Sequence, residues 1–382
     1  MPFLSTEALG YIEENRDSLV SLIEHLCTIP APSNHEELRA AFCCQWLKDA
    51  GAKEVFVDEA LNVICPIGCS GDVPVTVYMA HTDTVFPDTE PFSARTENGR
   101  MYCPGVGDDT ANLAVLLLCA RYVLQKGLQP ADGGVVFVAN SGEEGLGNLK
   151  GSRAVMERYG RRVRRFISFD GSYPSVCSKA VGSSRYRVEI LTEGGHSFGS
   201  FGNRNAIHLL AQMITDFYAL KVPVDNDSKT TYNVGGISGG TSVNTIAQQA
   251  SMLFEYRSDS AVCLQKMEAF FQSVIAHYRA MGITVNVELL GQRPGMGAVN
   301  PDAMNALKEK ISAIMQEYCG QPADFGSGST DANIPLSMGI PSAVFGAYRG
   351  RGAHTREEYI ELDSLPTGFK IVMATVLDSF SK

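Results

Sequence analysis

No apolar stretch of this 382-residue chain approaches the roughly 18 residues that a membrane-spanning helix needs, so no transmembrane segment is expected. The first residues, Met1-Pro2-Phe3-Leu4-Ser5-Thr6-Glu7, carry neither a basic segment nor an apolar one. The sequence therefore predicts no signal peptide and a cytoplasmic location. A long basic stripe is also missing. Acidic residues outnumber basic ones, 42 to 32, for a net charge of −10. The densest basic run, Arg161-Arg162-Val163-Arg164-Arg165, leads straight into apolar Phe166-Ile167-Ser168-Phe169. It reads as a solvated helix-to-strand connection, so neither nucleic acid nor a membrane surface is expected as a partner. The ten cysteines form no zinc-finger pattern, because no second Cys/His pair follows Cys65 and Cys69. Reduced, mostly buried thiols are expected. Internal repeats and low-complexity tracts are absent.

What is present is a large apolar complement, 45% of residues. A single core rarely grows past roughly 250–300 residues, so two domains are expected. The first 50 residues read as two helices. Leu19, Leu22, Ile23 and Leu26 recur at helical spacing, Pro30-Ala31-Pro32 breaks the first helix, and Asn34 with Glu37 gives a cap signal for the second. Strand-length apolar runs then end at His81, just before Asn140, at Asp170 and at Gly346, with a helix from Leu113 to Leu124 between the first two. Such unalternating strands, separated by helices, predict an α/β domain with a mostly parallel sheet covered on both faces. Pro74 cannot donate to a ladder and should sit at its strand's start.

The middle of the chain has a different rhythm. Tyr186–Leu191 alternates, Asn205–Leu220 looks helical, Thr230–Ile237 and Ala247–Tyr256 look like strands, and helix Val262–Met281 precedes strand Ile283–Leu290. This β-α-β-β-α-β order predicts an inserted α+β ferredoxin-like domain over 183–294, interrupting a domain made of 1–182 and 295–382. Gly182 and Gly295 are the expected hinges, since glycine tolerates the dihedral changes of a hinge.

Five short motifs carry chemistry. In His81-Thr82-Asp83, an imidazole is followed two residues on by a carboxylate that could fix its tautomer. In Gly105-Val106-Gly107-Asp108-Asp109, carboxylates follow glycines at a helix start, and Asp108 could bridge two metals. Adjacent Glu143 and Glu144 follow a strand too apolar to be exposed, so one could bind metal and the other accept a proton. Asp170-Gly171 and Gly352-Ala353-His354 complete the set. Each motif alone is compatible with a turn, a cap or a solvated loop. Four of the five fall on one predicted rim, at or near the carboxyl ends of strands, where open α/β sheets bind ligands.

These motifs, spanning residues 81 to 354, resemble those of the M20 family of metallopeptidases, and its peptidase T-like aminopeptidases more than its deacylases. The resemblance implies a zinc-peptidase-like catalytic domain with a lid or dimerisation insert, and two divalent metal ions, expected to be zinc. It implies that His81 and Asp170 bind one ion, that Glu144 and His354 bind the other, and that Asp108 bridges them through a turn with a cis Asp108–Asp109 peptide. Glu143 would be the general base and Asp83 would orient His81. With a bridging hydroxide, two dications and three ligand carboxylates are neutral together. His196, in Gly194-Gly195-His196-Ser197, resembles a histidine that stabilises the oxyanion, often across a dimer. Asn244, Arg257 and Asp331 resemble substrate-binding positions. Two departures stand out. Thr110-Ala111 occupies a place where many relatives have Lys and a small residue. The Asp170 position is Glu in many family deacylases and carboxypeptidases, so Asp there points to the aminopeptidase branch.

The leading expectation is therefore a di- or tripeptide aminopeptidase acting on small peptides, with a homodimer formed through the insert as a possible assembly. The alternatives are an N-acyl amino acid deacylase or carboxypeptidase on the same metals, and a catalytically inactive binding protein on this fold.

Overall fold

Strands Val75–His81 and Gly134–Asn140 are buried along their whole length. That is why their sequences run apolar without alternating: both faces of their sheet are covered. The computed structural model describes residues 2–380 and separates them into two units. One ends at Lys179 and resumes at Ala298, and the other is Ala180–Gly297.

In the first unit an eight-stranded sheet has four parallel strands at its centre, in the order Gly134–Asn140, Val75–His81, Val163–Phe169 and Ser342–Phe345. Antiparallel Val63–Ile67 flanks one side and Ser175–Ala180 the other. Pro74 lies just outside its strand, as its missing N–H requires. Helix Asn112–Gln125 is buried on most of its surface and packs against the Val75–His81 strand. The register sets the rim. His81 pairs with Asn140 and Phe169 with Phe345, so the residues that follow emerge side by side. A small four-stranded antiparallel sheet is built from Arg95–Glu97, Arg100–Tyr102, Tyr359–Glu361 and Gly350–Arg351.

The second unit is the expected β-α-β-β-α-β sandwich. Its antiparallel strands lie in the order Thr230–Gly239, Gln249–Ser258, Gly182–Leu191 and Thr284–Arg293, with helices Ala206–Tyr218 and Ala261–Ala280. Alternating burial along Gln249–Ser258 places Phe254 against Phe217 and Phe271 in the core.

Two local expectations fail near the N-terminus. The segment before Pro30 is two helices, Thr6–Glu14 and Arg16–Cys27, rather than one. The Asn15 side chain donates to the Tyr11 carbonyl and accepts from Arg121, and this local bonding competes with helix continuation. Asn34 does not cap the following helix, which begins at Glu37. Asn34 is left-handed (φ 73°), and its N–H donates to the Glu36 carboxylate. The ten cysteines form no disulfide, and most are buried.

One close approach holds the rim together. A Cβ at Gly346 would lie 1.6 Å from the Gly171 carbonyl oxygen, so the loops after Phe169 and Phe345 can touch only because residue 346 has no side chain. Gly346→Ala should cost at least about 2 kcal/mol of stability, the scale of overpacking against an unyielding neighbour. Urea denaturation measures this, and a variant as stable as the wild type would contradict the contact.

Candidate metal centre

The rim gathers the motif residues of the first unit. His81 ends its strand, Glu143 and Glu144 lie three and four residues past Asn140, and Asp170 directly follows Phe169. Asp108 sits in the turn that precedes helix Asn112–Gln125, and the Asp108–Asp109 peptide is cis. The two oxygens of Asp108 face different imidazoles. Oδ1 is 3.1 Å from His81 Nε2, and Oδ2 is 3.1 Å from His354 Nε2. His354 Nε2 is also 3.1 Å from Glu144 Oε1. Donor atoms of His81, Asp108 and Glu144 lie within 4.8 Å of one another, and so do those of His81, Asp109 and Asp170. Imidazole nitrogen and carboxylate oxygen are the usual donors for zinc-like dications, so this donor set fits metal.

Asp83 is fully buried and does more than face His81. The His81 Nδ1 atom is 3.0 Å from the Asp83 carbonyl and 3.4 Å from its carboxylate. The same carboxylate accepts the backbone N–H groups of Glu143 (3.0 Å) and Glu144 (2.9 Å) and the Ser33 hydroxyl (2.7 Å). One side chain thus fixes both the imidazole and the two-glutamate turn.

Residues that the motifs did not point to complete the support. Buried Glu36 accepts the Gly142 N–H (3.0 Å) and pairs with Lys150 (2.9 Å). Asn112 donates to Asp109 (2.7 Å) and to the Gly171 carbonyl (3.1 Å), and accepts the Ala347 N–H (2.6 Å). Buried Arg39 donates to the carbonyls of Thr82, Leu26 and Ile29. Glu358 accepts three backbone N–H groups from the Asp108 turn. The only sequence signal for Glu36 and Glu358 is a carboxylate beside a motif, which is too common to single out. Asn112 reads as an ordinary first residue of a helix.

The remaining candidates are placed differently. Asp331 is fully buried, and its carboxylate accepts Asn140 Nδ2 at 2.6 Å. It therefore offers a substrate amine no exposed surface and instead braces the strand end beside His81. In the second unit, His196 and Asn244 come together: His196 pairs with Thr245, and the Ser197 N–H donates to the Asn244 carbonyl. Arg257 pairs across the sheet with Ser183, whereas Gln249, at the other end of its strand, pairs with Leu191. This register puts Arg257 at the far end of the sheet from His196, with its fork taken by Glu255 (3.0 and 2.9 Å).

The electrostatics follow from crowding. Burial works to lower the His81 imidazole, but the carboxylates of Asp109, Asp108 and Asp83 overturn this and hold it well above its usual range. Burial works to raise Asp108, and the bonds to His354 and His81 outweigh it and keep that carboxyl low. Asp170 is pushed up to about 7, first by burial and then by Asp108. Glu358 is pushed up to about 7, chiefly by burial. His354 is pushed up to about 10 by its bonds to Asp108 and Glu144.

Comparison with known proteins gives the family. The model of peptidase family M20/M25/M40 matches residues 77–378, well over half the chain. The uncharacterized protein YqjE of Bacillus subtilis is 24% identical over 346 residues, covering 86% of this chain and 88% of that one. The succinyl-diaminopimelate desuccinylase of Nitrosospira multiformis is 23% identical, covering 80% and 84%. The crystal structure of aminopeptidase PepT from Bacillus cereus superposes with a TM-score of 0.74 at 22% identity, covering 96% and 99%. That of Bacillus subtilis YXEP, described as a dinuclear metal-binding peptidase, gives 0.63 at 18%, covering 96% and 99%.

Raised native pKa values mean that the folded metal-free protein holds protons the unfolded chain would release. That stabilisation is complete below the unfolded values, about 4 for carboxyls and about 6.5 for His, and fades as pH rises through the folded ones. Those are about 7 for Asp170 and Glu358, and about 10 for His354. Metal binding requires the protons of the candidate ligands Asp170 and His354 to leave, so it strengthens as pH rises. The stability gap between zinc-loaded and chelator-treated protein should widen from about pH 5 to about pH 9. A constant or shrinking gap in thermal melts would contradict this.

Proposed function

The chain belongs to peptidase family M20/M25/M40 and is a metallopeptidase of that family, and from this premise we propose a di- or tripeptide aminopeptidase that works with two divalent ions. The observation that carries the two-ion reading is Asp108, whose oxygens each face a different imidazole at 3.1 Å. In this reading His81 and Asp170 would hold one ion, Glu144 and His354 would hold the other, and Asp108 would serve both. Bound ions would supply Lewis acidity and lower the pKa of water toward about 7.

The protein's own groups then divide the work. Glu143 takes the proton of the attacking water and delivers it to the leaving amine. Asp83 holds the Glu143–Glu144 turn by both backbone N–H groups, which keeps the base and its neighbouring ligand in register. His196 Nδ1 accepts N–H bonds from Phe198 and Gly199 at 3.2 Å each, so the ring proton is on the exposed Nε2 side. That tautomer suits a donor to the developing oxyanion, in its own subunit or across a dimer. Asn244, held beside His196, is the better-supported substrate contact, since Arg257 is occupied by Glu255 and Asp331 is buried.

The aminopeptidase reading is supported by Asp at position 170 and by the likeness to PepT. The desuccinylase among the relatives favours a second reading, an N-acyl amino acid deacylase on the same centre. Free tripeptides assayed against their N-acetyl and N-succinyl counterparts separate the two. Turnover of only the free-amine peptides is expected, and turnover of only the acylated ones would move the assignment to a deacylase. Glu143→Gln should lower kcat at least about 100-fold, the scale of general-base catalysis, with metal content unchanged. Near-normal kcat would remove Glu143 from that role.

A further inference from the structure

Glu358 is almost completely buried, at 1% exposure, and no lysine or arginine pairs with its carboxylate within salt-bridge distance among the described residues. It is held by backbone alone. Oε2 accepts the Gly105 N–H at 2.6 Å, and Oε1 accepts those of Gly107 (2.9 Å) and Asp108 (2.8 Å). Successive N–H groups curled around one anion form a nest. Gly105 makes this one possible, because it is left-handed (φ 72°) and a Cβ there would sit 2.7 Å from Thr84 Cγ2.

The ladder explains how Glu358 reaches the turn. Tyr359 pairs with Tyr102, and the Cys103 N–H donates to the Glu358 carbonyl (3.1 Å), so Glu358 lies opposite the residue that leads into Gly105. The other strand of the same hairpin, Gly350–Arg351, pairs with Tyr359–Ile360 and runs into the loop that carries His354. One hairpin therefore bears an imidazole that faces Asp108 Oδ2 and the carboxylate that grips the Asp108 backbone.

We propose that Glu358 is a positioning residue for the metal centre: its carboxylate clamps the Gly105–Asp108 turn so that both Asp108 oxygens point at the two imidazoles, and it thereby sets the affinity of both metal sites at once. The inference rests on the two-ion reading above. It separates Glu358 from a ligand such as His354, which serves one ion only. It also separates Glu358 from an ordinary core residue, whose loss lowers stability without a defined effect on metal.

The test is stepwise Zn²⁺ titration of chelator-treated protein against a chromophoric competitor, with the Co²⁺ absorption spectrum as a second readout. In Glu358→Gln the size is kept, but an amide N–H₂ faces backbone donors, so at least one clamp bond is lost. Both binding steps should weaken by about 10–100-fold, the usual effect of losing a partner that orients ligands. The Co²⁺ bands of both sites should shift, and cooperative unfolding of the metal-free protein should be retained. In His354→Ala only one step should weaken. Unchanged affinities in folded Glu358→Gln, or weakening of a single step, overturn the proposal. If the Gln variant does not fold, Glu358→Asp, which keeps the charge but falls one methylene short, must weaken both steps. Two normal steps in that variant overturn the proposal equally. A wild-type protein that binds fewer than two ions fails at an earlier point and overturns the two-ion reading as well.

Discussion

Six carboxylates, those of Asp83, Asp108, Asp109, Glu143, Glu144 and Asp170, crowd one rim around His81 and His354, and most are buried. Two like charges about 4 Å apart repel by about 4 kcal/mol at the effective dielectric of a protein's outer layers. Such a gathering persists only if positive charge enters it or protons stay on it. The upward shifts of Asp170 and both imidazoles are the second solution, and divalent ions are the first. Asp108 joins the two, because its oxygens each lie 3.1 Å from a different histidine.

Repulsion of that size would splay flexible loops, so the rest of the structure restrains them. The restraint comes almost entirely from side chains bonding to backbone. Asp83 holds the Glu143–Glu144 turn, Glu36 holds Gly142 just before it, and Glu358 holds the turn at Asp108. Asn112 joins the Asp109, Gly171 and Ala347 segments, while Arg39 ties the Thr82 loop to the end of helix Arg16–Cys27. These contacts hold the rim loops through side chains other than the candidate ligands. The His354 side chain is 58% exposed.

The parallel sheet was readable because strands buried on both faces run mostly apolar without alternating, as residues 75–80 and 134–139 do. The insert was readable from alternation, as in residues 186–191, whose burial alternates within strand Gly182–Leu191. The residues gathered at the rim were readable because imidazoles and carboxylates recur where strands have to end. Their supports were not. Glu36 and Glu358 act through the backbone of segments roughly a hundred and two hundred and fifty residues away, and no local pattern encodes such pairings. Asn34 illustrates the opposite error: it matched a capping pattern, yet its neighbour Glu36 was already committed to Gly142 and Lys150. Arg257 resembles a substrate-binding position, and its fork bonds Glu255, two residues away on its own strand, a pairing the resemblance does not encode.

The central claim is that Asp108 is shared by two ions, and counting metal tests it most directly. Asp108→Ala should be purified beside the wild type, equilibrated with Zn²⁺, freed of excess ion and measured by elemental analysis. Two ions per wild-type chain are expected, with loss of both together in the variant. A variant that keeps one ion at full affinity would contradict the bridging role.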